Sequence, residues 1–198
     1  MVDARTIAFY DGAADRYDNL TKTGRPDSHL QAFMAMLPEG GRVLDLGCGP
    51  ARASVHMRAA GFVPDPVDAS QGMVQLANEA HGIGARLLTF DEIDMVSVYD
   101  GVWANFSLLH APKDRLPDHV AAIARALKPG GAFHIGMKTG MGEARDAIDR
   151  FYAYVTVAEL RDLLEAAGFC VLAVEEGEDK GCAGTLDAFV IMRAVQDG

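Results

Sequence analysis

Apolar positions recur at helical spacing over residues 3–19, where Ile7, Tyr10, Ala14 and Tyr17 share one side and Gly12 predicts a short or interrupted helix. A second stretch, 27–37, sets Leu30, Phe33, Met34 and Leu37 on one face before PEGG stops it. Short apolar runs then alternate with helical ones. RVLDLG (42–47) reads as a buried strand, ARASVHMRAAG (51–61) as a helix closed by Gly61, and FVPDPVDAS (62–70) as a second strand. Ser70 caps a helix carrying Met73, Leu76 and Ala80. ARLLTF (85–90), YDGVWANFSLLH (99–110) and AFHIGMK (132–138) are three further strands, the last two separated by the helix LPDHVAAIARALKPGG (116–131). After a looser segment, 139–155, comes the helix TVAELRDLLEAAG, with a Thr156–Glu159 capping box and a terminal Gly168. FCVLAVEE (169–176) and DAFVIMRAV (187–195) close the pattern without a helix between them, so they pair antiparallel.

Five strands alternating with helices predict an α/β chain: a doubly wound, mostly parallel seven-stranded sheet with an antiparallel last strand and helices on both faces. Pro64 and Pro66 resist this plan. Neither donates a ladder hydrogen bond, so the second strand is expected to pair only near Val67.

The candidate chemistry sits where the first strand ends. Gly47, Cys48 and Gly49 make a turn beyond Leu46, at the carboxyl end where doubly wound sheets bind ligands. Glycine lets a ligand approach the backbone, and the next helix offers free amides. Asp68 ends the second strand, a position suited to a ribose diol. A nucleoside-containing cofactor follows. A dinucleotide fingerprint wants a third glycine where Arg52 stands, and Asp45 in the bend would repel a pyrophosphate. A carboxylate suits a cofactor with a cationic centre, as in S-adenosylmethionine, which carries an ammonium and a sulfonium.

Charge narrows the partners. The 198 residues carry a net charge of −10, which argues against nucleic acid and for a small molecule. No apolar run reaches the ~20 residues of a membrane span, and MVDARTIAFY has no secretory pattern. Cys48, Cys170 and Cys182 lie far apart, which fits a reducing cytoplasm, and no residue cluster has metal-ligand spacing.

VLDLGCGPA (43–51) resembles the glycine motif of class I S-adenosylmethionine-dependent methyltransferases. VDAS (67–70), YDGVWANFSLLH and ALKPGG (126–131) resemble that family's second-strand motif, fourth-strand motif and the turn before its fifth strand. The closing strand pair is similar to its reversed seventh strand, and the pattern is closest to small bacterial tellurite-resistance-type enzymes. The resemblance implies a single Rossmann-like domain over 1–198, with 1–38 as a helical lid and 138–156 as a substrate-side insertion. By that resemblance, Asp45, Gly47, Cys48 and Gly49 line the cofactor's amino-acid end and Asp68 holds the ribose. Ala69 and Met73 pack near the adenine, whose amino group meets Asp91 or its neighbour Glu92. Ala104 and Asn105 flank the methionine portion, and Tyr17 closes over the cofactor.

Methyl transfer mainly needs alignment and exclusion of water; a base is needed only for a protonated acceptor. His110, just past the fourth strand, is the candidate base. His56, His81 and His119 read as solvated, His134 as a partnered core histidine, and Arg150 as solvated or salt-bridged. The expected activity is methyl transfer to a small-molecule acceptor, with S-adenosylhomocysteine as product. A non-catalytic S-adenosylmethionine-binding protein and an NAD(P)-dependent oxidoreductase are the alternatives, and oligomeric state is left open.

Overall fold

The computed structural model describes residues 3–21, 25–181 and 183–197; the side chains of 15–21, Tyr17 among them, and Cys182 lie outside the described residues. Helix α1 (Ala4–Thr21) opens the chain and α2 (Ser28–Met34) follows, its first turn capped by Asp27 accepting from the Leu30 amide. Strand β1 (Arg42–Leu46), α3 (Arg52–Ala59), β2 (Val63–Asp68) and α4 (Gln71–His81) come next, then the two-residue β3 (Arg86–Leu87) and β4 (Tyr99–Asn105). Helix α5 (Leu116–Ala126), β5 (Leu127–Lys138), a small hairpin of β6 (Glu143–Arg145) and β7 (Phe151–Ala153), α6 (Val157–Ala166), β8 (Phe169–Lys180) and β9 (Leu186–Gln196) complete it.

Seven strands form one sheet in the order β3-β2-β1-β4-β5-β9-β8. The first five are parallel, and β9 runs antiparallel to both β5 and β8. Strand order reverses between β1 and β4, so the carboxyl ends of β1, β2 and β4 meet at one crevice. The main core lies between the sheet and α5 and α6, with Leu44, Val102, Phe133, Ile135 and Leu160 buried. On the opposite face α2 packs Leu30 and Phe33 against Val43, Trp103 and Ala132. No helix among the described residues is long and apolar enough to cross a membrane.

The structure departs from the sequence pattern in several places. Strand β2 pairs with β1 along its length, from Arg42 opposite Val63 to Leu46 opposite Val67. The Val63 amide and the Val67 carbonyl face β1, and the Asp68 carbonyl faces β3. Alternation therefore turns Pro64 and Pro66 toward β3, which pairs only at Val67 and Asp68. Helix α1 runs unbroken through Gly12, because a single glycine costs about 1 kcal/mol and tertiary docking outweighs it. The third strand shrinks to two residues, since Thr89 and Glu92 form a capping box that bends 90–92 into a 3₁₀ turn. The looser segment folds into the β6–β7 hairpin. His119 is buried rather than solvated, set against Phe90, because its face of α5 packs on the sheet.

Candidate active site

Beyond Leu46 the chain turns sharply, and the amides of Gly47 and Cys48 both donate to the Val67 carbonyl at 2.9 Å. Gly47 has φ +74°, and a Cβ there would lie 2.3 Å from the Ser107 Cβ, so no side chain fits. Asp68 accepts from the Gly49 amide at 2.8 Å on one oxygen and from the Ser70 amide at 2.9 Å on the other. It thereby ties the glycine turn to the start of α4. Burial raises its pKa above the ordinary carboxylate value, against those hydrogen bonds.

Helix α1 lies across this crevice. Asp11 accepts from the Ser70 hydroxyl at 2.6 Å and the Gly72 amide at 2.9 Å. A Cβ on Gly72 would come 2.8 Å from the Asp11 carbonyl, so its absence lets the two helices touch. Thr6, Ile7 and Tyr10 then form one wall of a cleft whose non-atom space, counting the part open to solvent, is about 650 Å³. Gly47, Gly49, Asp68, Ala69, Ser70 and Met73 face them, with Leu88 and Phe90 at one end and Asn105, Phe106, Ser107 and His110 completing the lining. Phe106 holds φ +56°, a conformation uncommon for a bulky residue, and the Ser107 hydroxyl is buried with no partner among the described residues. Among the described residues, no lysine or arginine lines the wall.

At the His110 side the cleft is held by a chain of polar contacts. His110 Nδ1 lies 2.6 Å from the Phe151 carbonyl, which can only accept, so this nitrogen carries the proton. His110 Nε2 is then the acceptor for the Tyr10 hydroxyl at 2.9 Å, and that oxygen also accepts from Arg150 at 3.1 Å. Arg150 is buried against Asp146 at 2.7 Å. Burial drives the His110 pKa down to about 4, so the ring is neutral at physiological pH. The same hairpin grips α1 further along, where the Phe151 amide donates to Thr6 and Arg145 pairs with Asp3.

The structure thus gathers Gly47, Gly49, Asp68, Ala69, Met73, Asn105 and His110 around one cleft. Asp45, Cys48 and Ala104 lie outside its lining: Asp45 is buried under the turn and accepts from Ser54 at 2.7 Å, and the Cys48 thiol contacts the Gly49 carbonyl. Burial, together with Asp45 and Asp68, pushes that thiol's pKa up. Asp91 points away to Arg115, and Glu92 folds back onto Thr89; their neighbour Phe90 turns inward instead. Sequence reasoning missed Thr6, Ser70, Phe106 and Ser107 as lining residues. Tyr10 carried a signal in its helical stripe, but a stripe does not say what it faces.

Burial pushes the Asp45 carboxyl from 3.8 to about 7. Unfolded, this group loses its proton first, so stability falls as pH rises between those values. The depressed His110 contributes the opposite slope from about 4 to 6.5, so the comparison must be with Asp45→Asn. The melting temperature of the wild type is expected to fall relative to that variant between pH 5 and 7.5. Parallel curves in a thermal scan across that range would show that Asp45 ionises normally.

Residues 43–131 match the family model described as a methyltransferase domain. YqeM of Bacillus subtilis (strain 168), named as a methyltransferase, is 36% identical over 131 residues, covering 62% of this chain and 52% of that protein. The malonyl-[acyl-carrier protein] O-methyltransferase of Enterobacter lignolyticus (strain SCF1) is 33% identical over 138 residues, covering 66% and 52%. The chain spans about half the length of these curated relatives. Among solved structures, the Burkholderia thailandensis 1,6-didemethyltoxoflavin-N1-methyltransferase, with bound S-adenosylhomocysteine, superposes with a TM-score of 0.75 at 23% identity, covering 98% of this chain and 88% of that one. Over residues 43–131 this chain is similar to methyltransferase domains, and its fold is that of solved S-adenosylmethionine-dependent methyltransferase structures.

Proposed function

We propose that the cleft binds S-adenosylmethionine and that the protein transfers its methyl group to a small-molecule acceptor. The carrying observation is Asp68, which borders the cleft at the end of β2 with both oxygens held in place by backbone amides, next to a glycine that admits no side chain. Those oxygens keep lone pairs for a ribose diol. The cradle at Gly47 and the unpartnered Ser107 hydroxyl suit a ligand lying against the turn. Among the described residues the wall carries one carboxylate and no lysine or arginine, which suits a cation better than a pyrophosphate and disfavours NAD(P).

Bound S-adenosylmethionine supplies a methyl carbon already activated by a positive sulfur. Around it, Asp68 orients the nucleoside, while Leu88, Phe90 and Met73 offer an apolar bed for the base. The Asp91 and Glu92 carboxylates point elsewhere, so recognition of the adenine falls to this bed. Helix α1, docked on α4 through Asp11 and on the β6–β7 hairpin through Thr6, forms one wall of the cleft, and a bound ligand would be partly shielded there. His110 Nε2 has a lone pair directed at Tyr10, so a proton leaving an acceptor reaches it through the Tyr10 hydroxyl. The acceptor is expected to be small, because a chain with net charge −10 does not favour a polyanionic polymer. A cytoplasmic enzyme is the expected setting. A binding protein without activity is not favoured, because the curated relatives are named as methyltransferases.

Calorimetric titration with S-adenosylhomocysteine and with NAD tests the reading. The wild type is expected to bind the first and not the second, and Asp68→Ala to weaken binding by roughly tenfold or more, the value of a hydrogen bond to a charged group. NAD binding alone, or none, would overturn it.

A further inference from the structure

We infer that His134 is a positioning residue: from the core it fixes the Asn105 amide so that Nδ2 presents donors to the cleft, where they select a ligand bearing a carboxylate. The inference rests on the cleft being the S-adenosylmethionine site and assigns the recognition of that molecule's amino-acid end.

His134 lies in β5 opposite Trp103, and Gly136 opposite Asn105, so the four residues form a block on one face of the sheet. The His134 ring is fully buried, stacked on Trp103 with centroids 3.7 Å apart and tilted 18°, and set edge-on to Phe33. It has little freedom to turn. Its Nε2 lies 3.0 Å from Asn105 Oδ1, and its Nδ1 is buried with no partner among the described residues.

These facts decide where the proton sits. The ring is neutral, because burial, with His29 and Arg193 nearby, opposes its charging. A neutral ring carries one proton. On Nδ1 it would be an orphaned buried donor; on Nε2 it leaves only an orphaned lone pair. Buried N–H groups without partners are the rarer and costlier case. The proton therefore sits on Nε2 and is donated to an oxygen, which fixes the Asn105 amide with Oδ1 inward. Gly136 makes the room, since a Cβ there would lie 2.9 Å from that oxygen. The planar amide then turns Nδ2 the other way. That nitrogen makes no hydrogen bond to a described residue, and Asn105 lines the cleft.

Two N–H donors suit an acceptor group. Asp68, Met73, Leu88 and Phe90 are the residues assigned to the nucleoside, while Asn105 shares the lining with Ser107, two residues on in the chain, which packs against Gly47. A carboxylate is the part of the amino-acid end that accepts without donating.

The test compares S-adenosylhomocysteine with 5′-methylthioadenosine, which keeps the nucleoside and thioether but lacks the amino-acid end. His134→Phe keeps a ring on Trp103 and removes the donor. It is expected to weaken S-adenosylhomocysteine by roughly tenfold and leave methylthioadenosine unchanged. Asn105→Ala should do the same, the double variant should be no weaker than Asn105→Ala, and His134→Gln should restore binding. Independently, nitrogen NMR of histidine-labelled wild type should show the His134 proton on Nε2. Equal loss of both ligands, no loss for His134→Phe, additive losses in the double variant, or a proton on Nδ1 each overturn the inference. A wild type that binds neither nucleoside overturns the underlying reading as well.

Discussion

Gly47→Ala is expected to destabilise the protein by about 3 kcal/mol and to abolish the thermal shift that S-adenosylhomocysteine produces. Two costs combine. An alanine in the left-handed region costs roughly 1–2 kcal/mol, and forcing its methyl against a packed neighbour costs roughly 1–3 kcal/mol more. The new Cβ would stand 2.3 Å from the Ser107 Cβ, a part of the chain fixed by the 3₁₀ turn that follows, so relief must come from the glycine turn itself. For a chain of this size the melting temperature should drop by roughly 6–12 °C. Ligand at a hundred times its dissociation constant adds about 2.7 kcal/mol to a protein that binds it, and the variant should gain none. Gly84→Ala is the control: φ is +77° there, with nothing within 4 Å of the added carbon, so it carries the backbone cost alone. Differential scanning fluorimetry of the three proteins, with and without ligand, decides the matter. A Gly47→Ala protein that behaves like Gly84→Ala would mean that Ser107 simply moves aside.

The second large effect is expected at Asp146. Its carboxylate holds the buried Arg150 at 2.7 Å and also accepts from the Ile148 and Arg150 amides, closing the turn of the β6–β7 hairpin. Arg150 is enclosed by the rings of Phe9, Tyr10 and Tyr152, which attract a cation but do not replace a counter-ion. Asp146→Ala leaves a guanidinium buried without its charge partner and should cost about 3–5 kcal/mol in urea unfolding. Removing both charges, as Asp146→Ala with Arg150→Met, should recover part of that loss. Because Arg150 donates to Tyr10, the single variant should also loosen α1 over the cleft and weaken S-adenosylhomocysteine. A loss below 1 kcal/mol would show that water reaches Arg150 in the variant.

Local grammar made much of this legible in the sequence. The turn at Gly47–Gly49 and the acidic end of β2 are short-range features, and the alternation of strands and helices carries the sheet with it. The capping box at Thr156 is equally local. What escaped depends on which way a residue faces. Asp91 and Phe90 are neighbours, and only the tightness of the turn between Thr89 and Glu92 decides that the ring, not the carboxylate, enters the cleft. Ser107 matters through its closeness to Gly47, sixty residues away in the chain, which no local pattern encodes. Pro64 and Pro66 misled for the opposite reason. A proline count says that donors are missing but not toward which neighbour they are missing, and here it is the side with nothing to receive them.

That last detail bears on how the molecule keeps company with itself. Between Val63 and Pro66 the sheet has a bare flank, because β3 reaches only the final two residues of β2. A bare flank ordinarily invites a strand from another molecule. This one offers carbonyls but, at Pro64 and Pro66, no amides, so an incoming strand would find half a ladder. At the far border, β8 runs into Glu176, Glu178 and Asp179, whose charges repel a second copy of the same strand. Both borders therefore resist sheet-to-sheet stacking in a crowded solution, one by lacking donors and the other by like charge.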